Sequence, residues 1–399
     1  MWPQIHRAGP FAARRLARSR APLARPRTLA VYLGAMQQDP RAHDLPAPHA
    51  LADRVLAGEL DAVDTATLTR WLAGEGDVWE LIAAADRIRR GRFGNHVHLC
   101  SIVNAKQGGC PEDCGFCAQS RHFDTGVTAE KFLTHEQMVS ASRIARDQGA
   151  TALGLVTATR GYEDDSRALG HMIEGIRAVR EAGFTEAHAS LGFVSKEGMQ
   201  QLKDAGMTEF NHNLETGRGY FGEIVTSHSY DDRINTIRNA KELGLRTCVG
   251  GIFGMGERPE HRAELAMDLR ALDVDEVPIN FLVSVDGTRL QKIVPLEPIE
   301  MLRIIACFRL ALPRQNIFIA AGRQHLGQLQ PLIFTAGASG MMIGDFLTTP
   351  NRSVQDDLDM LAQLGLEGSV CGAPRPELAG RSNSTTIRKG ATLHLPVMA

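Results

Sequence analysis

From residue 97 onward, short apolar runs alternate with amphipathic stretches, and this alternation limits the possible folds more than any other feature of the chain. Strands are expected at Val97–Val103, Ala152–Thr157, Ala187–Leu191, Glu209–Asn213, Arg246–Phe253, Pro278–Ser284, Ile317–Ala320 and Gly340–Ile343. Helices are expected between them at about 135–148, 166–182, 196–205, 230–243, 258–272, 297–312 and 324–336, with a last one at about 353–364. Strands separated by helices pair in parallel through right-handed crossovers. Eight such units over roughly 270 residues fit an α/β fold of the (β/α)8, TIM-type class; a doubly wound open sheet is the alternative. In both, ligands gather at the carboxyl ends of the strands.

The flanks are expected to differ from this barrel. Residues 49–92 read as helices, with Leu51, Val55 and Leu56 on one face and a second helix near Val78 to Arg89. The first 38 residues carry Arg7, Arg14, Arg15, Arg18, Arg20, Arg25 and Arg27 and no Asp or Glu. That composition resembles a mitochondrial presequence. Pro10, Pro22 and Pro26 weaken the amphipathic helix such a leader needs, which favours an extension upstream of a start at Met36. Gly372, Pro374, Pro376 and the polar run Ser382 to Thr386 mark a loose tail, in which Cys371 reads as a surface thiol. The expected organisation is an extension over 1–45, a helical segment over 46–95, the barrel over 96–365 and the tail over 366–399.

Composition removes several classes of function. A formal net charge of −2 leaves no basic footprint for nucleic acid. No apolar run approaches the length of a membrane span. Seven cysteines, three of them in one short motif, do not make a disulfide framework and imply a reducing compartment. The cytoplasm is the expected location, with the mitochondrial matrix as the alternative if the Arg-rich start is a presequence.

The motif is Cys110-Pro-Glu-Asp-Cys114-Gly-Phe-Cys117, directly after the first expected strand. Cysteine-held iron–sulfur clusters normally take four thiolates. Three close thiolates with no fourth nearby point to a 4Fe–4S cluster with one iron open for a small molecule. A structural zinc site would want a second Cys or His pair at short spacing. Redox CxxC chemistry would use Cys114 and Cys117 but leave Cys110 idle. Gly108, Gly109 and Gly115 let backbone wrap closely around a bulky core.

CxxxCxxC with an aromatic residue before the last Cys resembles the signature of radical S-adenosylmethionine (SAM) enzymes. The run Cys100 to Ser120 is more narrowly similar to the biotin synthase family, as are Asn211 to Thr216, Gly250 to Glu257 and Val277 to Leu282. The resemblance covers residues 75 to 365. It implies that the open iron chelates the methionine part of SAM, that one electron cleaves the sulfonium, and that the resulting 5′-deoxyadenosyl radical takes hydrogen from an unactivated C–H bond. It implies dethiobiotin as substrate, a flavodoxin or ferredoxin as reductant, and often a homodimer.

Individual residues can be read beside that resemblance. Asn211, Asn213 and Glu215 alternate, which places them on one face of a strand and its exit. That face is either solvent-exposed or a ligand-facing barrel mouth; the resemblance implies the latter. It assigns Asn213, Glu215 and Arg233 to SAM, although family members commonly carry Asp at the Glu215 position. It assigns Asn211 and Asn280 to the ureido ring of dethiobiotin; the alternative for Asn280, within an apolar strand, is a bond to nearby loop backbone. Thr348 and Thr349 match residues that hold the substrate carboxylate, or else cap a helix. Gly250, Gly251, Gly254 and Gly256 lack dinucleotide-loop spacing and are expected to let backbone approach SAM. Cys307 falls on an expected helix and reads as packing.

One part of the pattern is broken. Familiar biotin synthases hold a second cluster, 2Fe–2S, through three Cys and one Arg; the corresponding positions here read Gly154, His188, Cys248 and Phe318. His98, Cys100 and Ile102 share one face of the first strand. If that face is inward, Cys100 and Cys248 converge with His188 nearby. An auxiliary cluster of 2Fe–2S or another type, with Cys100 and Cys248 as ligands and His188 as a third, is the expectation; buried inert thiols and a core histidine are the alternative. Biotin synthase chemistry therefore leads. A sibling radical SAM enzyme of mutase or maturase type, without sulfur insertion, comes second, and a non-catalytic metal-storage or sensing module third.

Overall fold

The structure, a computed structural model, describes residues 45–347 and 351–369. Its centre is a closed ring of eight parallel strands: β1 (His96–Lys106), β2 (Ala152–Thr157), β3 (Ala187–Ser190), β4 (Glu209–Asn211), β5 (Arg246–Cys248), β6 (Glu276–Phe281), β7 (Asn316–Ile319) and β8 (Gly340–Met342). Each strand pairs with the next, and β8 returns to β1 through His98↔Gly340 and Cys100↔Met342. The (β/α)8 expectation holds, and the open sheet is excluded by this closure.

Alternation along the strands separates two interiors. Leu99, Val97 and Val103 of β1 face outward into the large apolar layer beneath the helices. His98 and Cys100 face into the ring, where Cys248, Phe318 and Ala320 form a separate small apolar group. Around the ring, helices pack on the outer face with local sequence supporting their starts. Thr134 and Gln137 form a reciprocal capping box on His135–Asp147, and Ser229 and Asp232 do so on Tyr230–Glu242. Cys307, on the helix Pro298–Ala311, is fully buried in the outer layer. The same helix carries Arg309, whose guanidinium donates to the carbonyls of Gly337 (2.7 Å) and Gln315 (2.8 Å), so that its buried charge is matched by backbone.

Among the described residues, three α-helices stand before the barrel, Pro48–Leu56, Thr65–Leu72 and Val78–Phe93. Asp64 and Asp77 cap the second and third by accepting from Thr67 N and Trp79 N, each at 2.7 Å. Trp71 is buried among them.

Four local expectations need correction. The run 246–253 is not one strand: β5 stops at Cys248, and Gly251–Phe253 resumes pairing with β6 after a break. At the break, Gly250 accepts from the amides of Leu214 and Glu215. β4 ends at Asn211, and Glu215 has φ +69°, so a period of two does not carry from Asn211 to Glu215. A seven-residue helix, Arg218–Ile224, lies where none was expected. Within the region read as a loose tail, Glu367–Ser369 (β9) pairs in parallel with β1 through His96↔Glu367. Residues 1–44 and 370–399, including Cys371, lie outside the described residues.

Candidate active site

The motif loop leaves β1 at the carboxyl end of the ring. Gly108 and Gly109 have φ of +67° and +70°, the left-handed region open to glycine. A Cβ on Gly108 would stand 2.8 Å from the Thr128 carbonyl. The loop then folds on itself: Cys110 N donates to Gln119 O (3.0 Å), Cys117 N to Cys114 O (3.0 Å) and Arg121 N to Cys110 O (2.9 Å). Gln119 braces the start of the loop by accepting from Gly108 N at 3.0 Å.

Cys110, Cys114 and Cys117 form no disulfide. Burial pushes all three thiols up, Cys117 to about 11, and neighbouring thiols of the motif push Cys114 and Cys117 further in the same direction. Three thiols that oppose one another's ionisation become thiolates together only around a strong positive charge. A cubane iron–sulfur core supplies that charge, and the three residues fit it.

Two acidic residues inside the motif tie it to the connection before Tyr230–Glu242. Asp113 accepts from the amides of Thr226 (2.9 Å) and Ser227 (3.0 Å). Glu112 takes the Arg160 guanidinium at 2.7 Å and the Nδ1 of His228 at 2.5 Å. The other ring nitrogen of His228, Nε2, accepts from Arg233 Nε at 2.9 Å. This pairing fixes the proton on Nδ1 and leaves the imidazole neutral. Burial, and then the Arg233 charge, hold His228 below its ordinary pKa, in agreement.

Arg233 continues the chain. Its Nη1 donates to the Asn213 carbonyl (2.7 Å) and lies 3.4 Å from Glu215 Oε1. The Asn213 side chain accepts from Gly250 N at 3.1 Å. Asn213, Glu215 and Arg233 are therefore brought together as expected, but by Arg233 and the left-handed turn at Glu215 rather than by strand alternation. Burial raises the Glu215 carboxyl and Arg233 opposes the rise. Glu215 Oε2 and Asn211 Oδ1 are buried without a hydrogen-bond partner. Such acceptors fit the hydroxyl and N–H donors of SAM and of a ureido ring. Burial of the Cys114 thiol raises it most, and Arg233 and Glu215 act on the same thiol electrostatically, Arg233 lowering and Glu215 raising it.

Other expected residues fare differently. Asn280 donates to Gly251 O (3.3 Å) and accepts from Ala321 N (3.1 Å), so loop backbone engages both ends of its amide. Packing alone requires glycine at two of these positions: a Cβ on Gly250 would stand 1.9 Å from Pro278 O, and one on Gly251 2.6 Å from Glu215 O. Thr348 and Thr349 lie outside the described residues.

Deeper in the ring is a polar layer. Cys100, Cys248 and His188 do converge there: all are buried, and the His188 ring lies against the Cys100 thiol. With them are two residues the sequence reading passed over, Glu209 at the first position of β4 and Glu276 at the first position of β6. Both are fully buried. The register explains the meeting: His188 pairs with Glu209, and Cys248 and Asn316 each pair with Glu276. Arg246 supports the acids from below, 2.8 Å from Glu276 Oε1 and 3.4 Å from Glu209 Oε2. Burial, and then Glu276, push Glu209 up to about 8. Burial opposes a charge on His188, yet Glu209 and its other neighbours raise it well above the usual imidazole range. Burial lowers His98, 3.3 Å from Glu276, with Glu276 resisting.

A three-thiol loop over the carboxyl end of a (β/α)8 ring, tied to a buried set of polar acceptors, defines a radical SAM enzyme, and the Radical SAM superfamily profile matches residues 105–269. The chain belongs to the biotin synthase family. It is 44% identical over 317 residues to the biotin synthase of Trichlorobacter lovleyi, covering 79% of this chain and 95% of that one. It is 43% identical over 323 residues to that of Syntrophotalea carbinolica, covering 80% and 98%. The Biotin and Thiamin Synthesis associated domain matches residues 278–367. Among solved structures, methylornithine synthase superposes with a TM-score of 0.69 at 20% identity, covering 80% of this chain and 97% of that one. HydG, a maturase of the [FeFe]-hydrogenase, gives 0.70 at 14%, covering 86% and 82%. At these identities the two structures share the fold alone. Among the described residues, no helix is long and apolar enough to cross a membrane.

Proposed function

We propose that this chain inserts sulfur into dethiobiotin to form biotin, at the expense of SAM. The observation that carries the reading is the continuous chain Glu112–His228–Arg233–Asn213/Glu215, which couples the cysteine loop to the buried Glu215 carboxylate, whose Oε2 is left without a hydrogen-bond partner. Bound at Cys110, Cys114 and Cys117, a 4Fe–4S cluster with SAM supplies hydrogen-atom abstraction from unactivated C–H bonds. The protein's own share is placement and exclusion of water. Glu215 accepts the ribose hydroxyls, and Arg233 holds Glu215 and the Asn213 carbonyl in place. The Asn211 side chain accepts from a ureido N–H. Asn280 contributes its second amide hydrogen to the ureido oxygen while backbone fixes the rotamer. Thr348 and Thr349 are the proposed carboxylate contacts.

The deep layer is the proposed auxiliary site, with an iron–sulfur group near Cys100, Cys248 and His188 as the source of sulfur. Its support is the burial of all three side chains on the inner face of the ring. A flavodoxin or ferredoxin is the proposed reductant, a homodimer the proposed assembly and the cytoplasm the proposed location, since the relatives named above are bacterial proteins.

The test is an anaerobic reaction of reconstituted protein with dethiobiotin, SAM and dithionite. Biotin, or its thiol intermediate, together with 5′-deoxyadenosine supports the reading. The nucleoside without either sulfur product sinks it and favours a sibling enzyme that does not insert sulfur. Replacing any one of Cys110, Cys114 or Cys117 by Ala is expected to reduce SAM cleavage to the enzyme-free background.

A further inference from the structure

We propose that Asn104 completes the recognition of the ureido ring: its Oδ1 accepts one ureido N–H while Asn211 Oδ1 accepts the other. The inference rests on the reading of dethiobiotin as substrate and deepens it. A cyclic urea offers two N–H donors and one carbonyl acceptor. Asn211 and Asn280 answer one N–H and the carbonyl, which leaves the second N–H without a partner in a site that excludes water. A donor buried in that way is costly, so the site needs a second acceptor.

The first argument is placement. The pairing of β1 with β2 is regular from Cys100↔Ala152 to Asn104↔Val156 and shifts only beyond Asn104. Alternation therefore carries Asn104 to the inner face occupied by His98, Cys100 and Ile102, whereas Val103 and Ala105 lie in the outer apolar layer. Along that face Asn104 stands two steps of about 6.6 Å each beyond Cys100, above the deep layer and below the cysteine loop. The same row continues around the ring. Asn104 pairs with Val156 and Val156 with Ser190, and the register His188↔Glu209, Ala189↔Phe210 sets Asn211 beside Ser190. Three strand steps in a closed ring of eight bring the Asn104 and Asn211 side chains to facing walls. A ring held between them has the source of sulfur beneath it and the source of the radical above.

The second argument is the state of the amide. Asn104 Oδ1 is buried without a hydrogen-bond partner, as Asn211 Oδ1 is. Its orientation is determined by its neighbours. Gln119 Oε1 accepts from Gly108 N at 3.0 Å, which identifies it as the oxygen end of that side chain. Asn104 turns its Nδ2 to the same oxygen at 3.4 Å. A rotated Asn104 would set oxygen against oxygen, so the free end of its amide is the acceptor. Gln119 is itself buried, and it braces the first turn of the cysteine loop. One side chain thus holds both the loop and the Asn104 amide. Two neutral acceptors on facing walls match the two N–H groups of an unsubstituted cyclic urea.

The experiment measures equilibrium binding of dethiobiotin to reconstituted protein in the presence of SAM and without reductant. Beside it are measured two analogues in which one or the other ureido N–H is replaced by a methylene. In the wild type each analogue should bind at least tenfold more weakly than dethiobiotin, because each leaves a buried acceptor unpaired. Asn104→Ala should weaken dethiobiotin about tenfold and leave SAM affinity within about twofold. With the analogue that lacks the N–H facing Asn104, the substitution should cost nothing further; with the other analogue the whole loss should remain. The wild-type comparison tests the proposal even where the variant fails to fold. The inference would be overturned, and the substrate reading left standing, by any of three results: a wild type that binds one analogue as tightly as dethiobiotin, an equal change for all three ligands on Asn104→Ala, nil included, or a loss confined to SAM. A wild type that does not bind dethiobiotin would overturn both.

Discussion

Arg233 donates its Nε–H to Nε2 of His228 at 2.9 Å, while the opposite nitrogen of the same ring is held by Glu112 of the cysteine motif. One neutral imidazole thus links the loop that carries the thiols to the guanidinium that positions Asn213 and Glu215. Replacement of His228 by Ala leaves both the Glu112 carboxylate and the Arg233 Nε–H facing a void. A loss of about 3 kcal/mol in unfolding free energy is expected, as for other buried charged networks that lose a partner. His228→Gln, which can donate and accept at once, should recover part of it. Denaturant titration of the three proteins checks the order wild type, Gln, Ala.

The same histidine sets a pH dependence. Burial and then Arg233 hold His228 low, and burial and then Arg233 hold His212 well below its ordinary range. In the unfolded chain both titrate near pH 6.5. Below that pH the unfolded state takes up protons that the native state refuses at these two rings, so their contribution to stability falls as pH decreases from about 6.5. His188 and Glu209, both raised by their surroundings, contribute with the opposite sign, so the difference between wild type and His228→Gln isolates the ring: between pH 7.5 and 5.5 the wild type should lose more stability, or gain less, than His228→Gln. An equal change in the two proteins would contradict the assignment of a neutral ring.

Glu215 combines a left-handed backbone, φ +69°, with a buried carboxylate. Its loss as an acceptor should be felt in SAM binding more than in folding. Glu215→Gln, with the charge opposite Arg233 removed, should raise the KM for SAM roughly tenfold, the equivalent of one charge-assisted hydrogen bond. Glu215→Asp keeps the charge and should stay within about threefold of the wild type. Initial rates of 5′-deoxyadenosine formation against SAM concentration separate the two.

Gly250 marks where β5 is interrupted. A Cβ there would lie 1.9 Å from the Pro278 carbonyl of β6, and backbone has no room to yield. Gly250→Ala is expected to cost about 3 kcal/mol or more. Gly126→Ala, with φ +74° and nothing near the added atom, should cost about 1 kcal/mol, the backbone term alone. Urea unfolding of the pair measures the difference.

The strands and most helices were legible because their signal is periodic and repeated. The break at Gly250 was not, since it arises from carbonyls of β6 and of Glu215, which are remote in sequence. Arg218–Ile224 escaped because it is short and starts at Gly217 without a side-chain cap. The cysteine motif and Arg233 could be read from the chain, the latter through family resemblance. His228 and Glu112 could not, because each looks like an ordinary polar residue until folding places them 2.5 Å apart. Glu209 and Glu276 open their strands, where an acid reads as the polar edge of an apolar run; only the register with His188 and Cys248 shows them to be interior. The alternation that placed Cys100 and His98 on one face was sound, because β1 is long and regular.

The proposed chemistry is hydrogen abstraction from dethiobiotin at the site built around Cys110, Cys114, Cys117, Arg233 and Glu215. Dethiobiotin deuterated at the two carbons that become bonded to sulfur, incubated anaerobically with SAM and reductant, tests this most directly by mass spectrometry. The prediction is deuterium in the 5′-deoxyadenosine and its loss from the biotin formed. Nucleoside that forms at full rate without label, with the deuterated dethiobiotin unchanged, would contradict it.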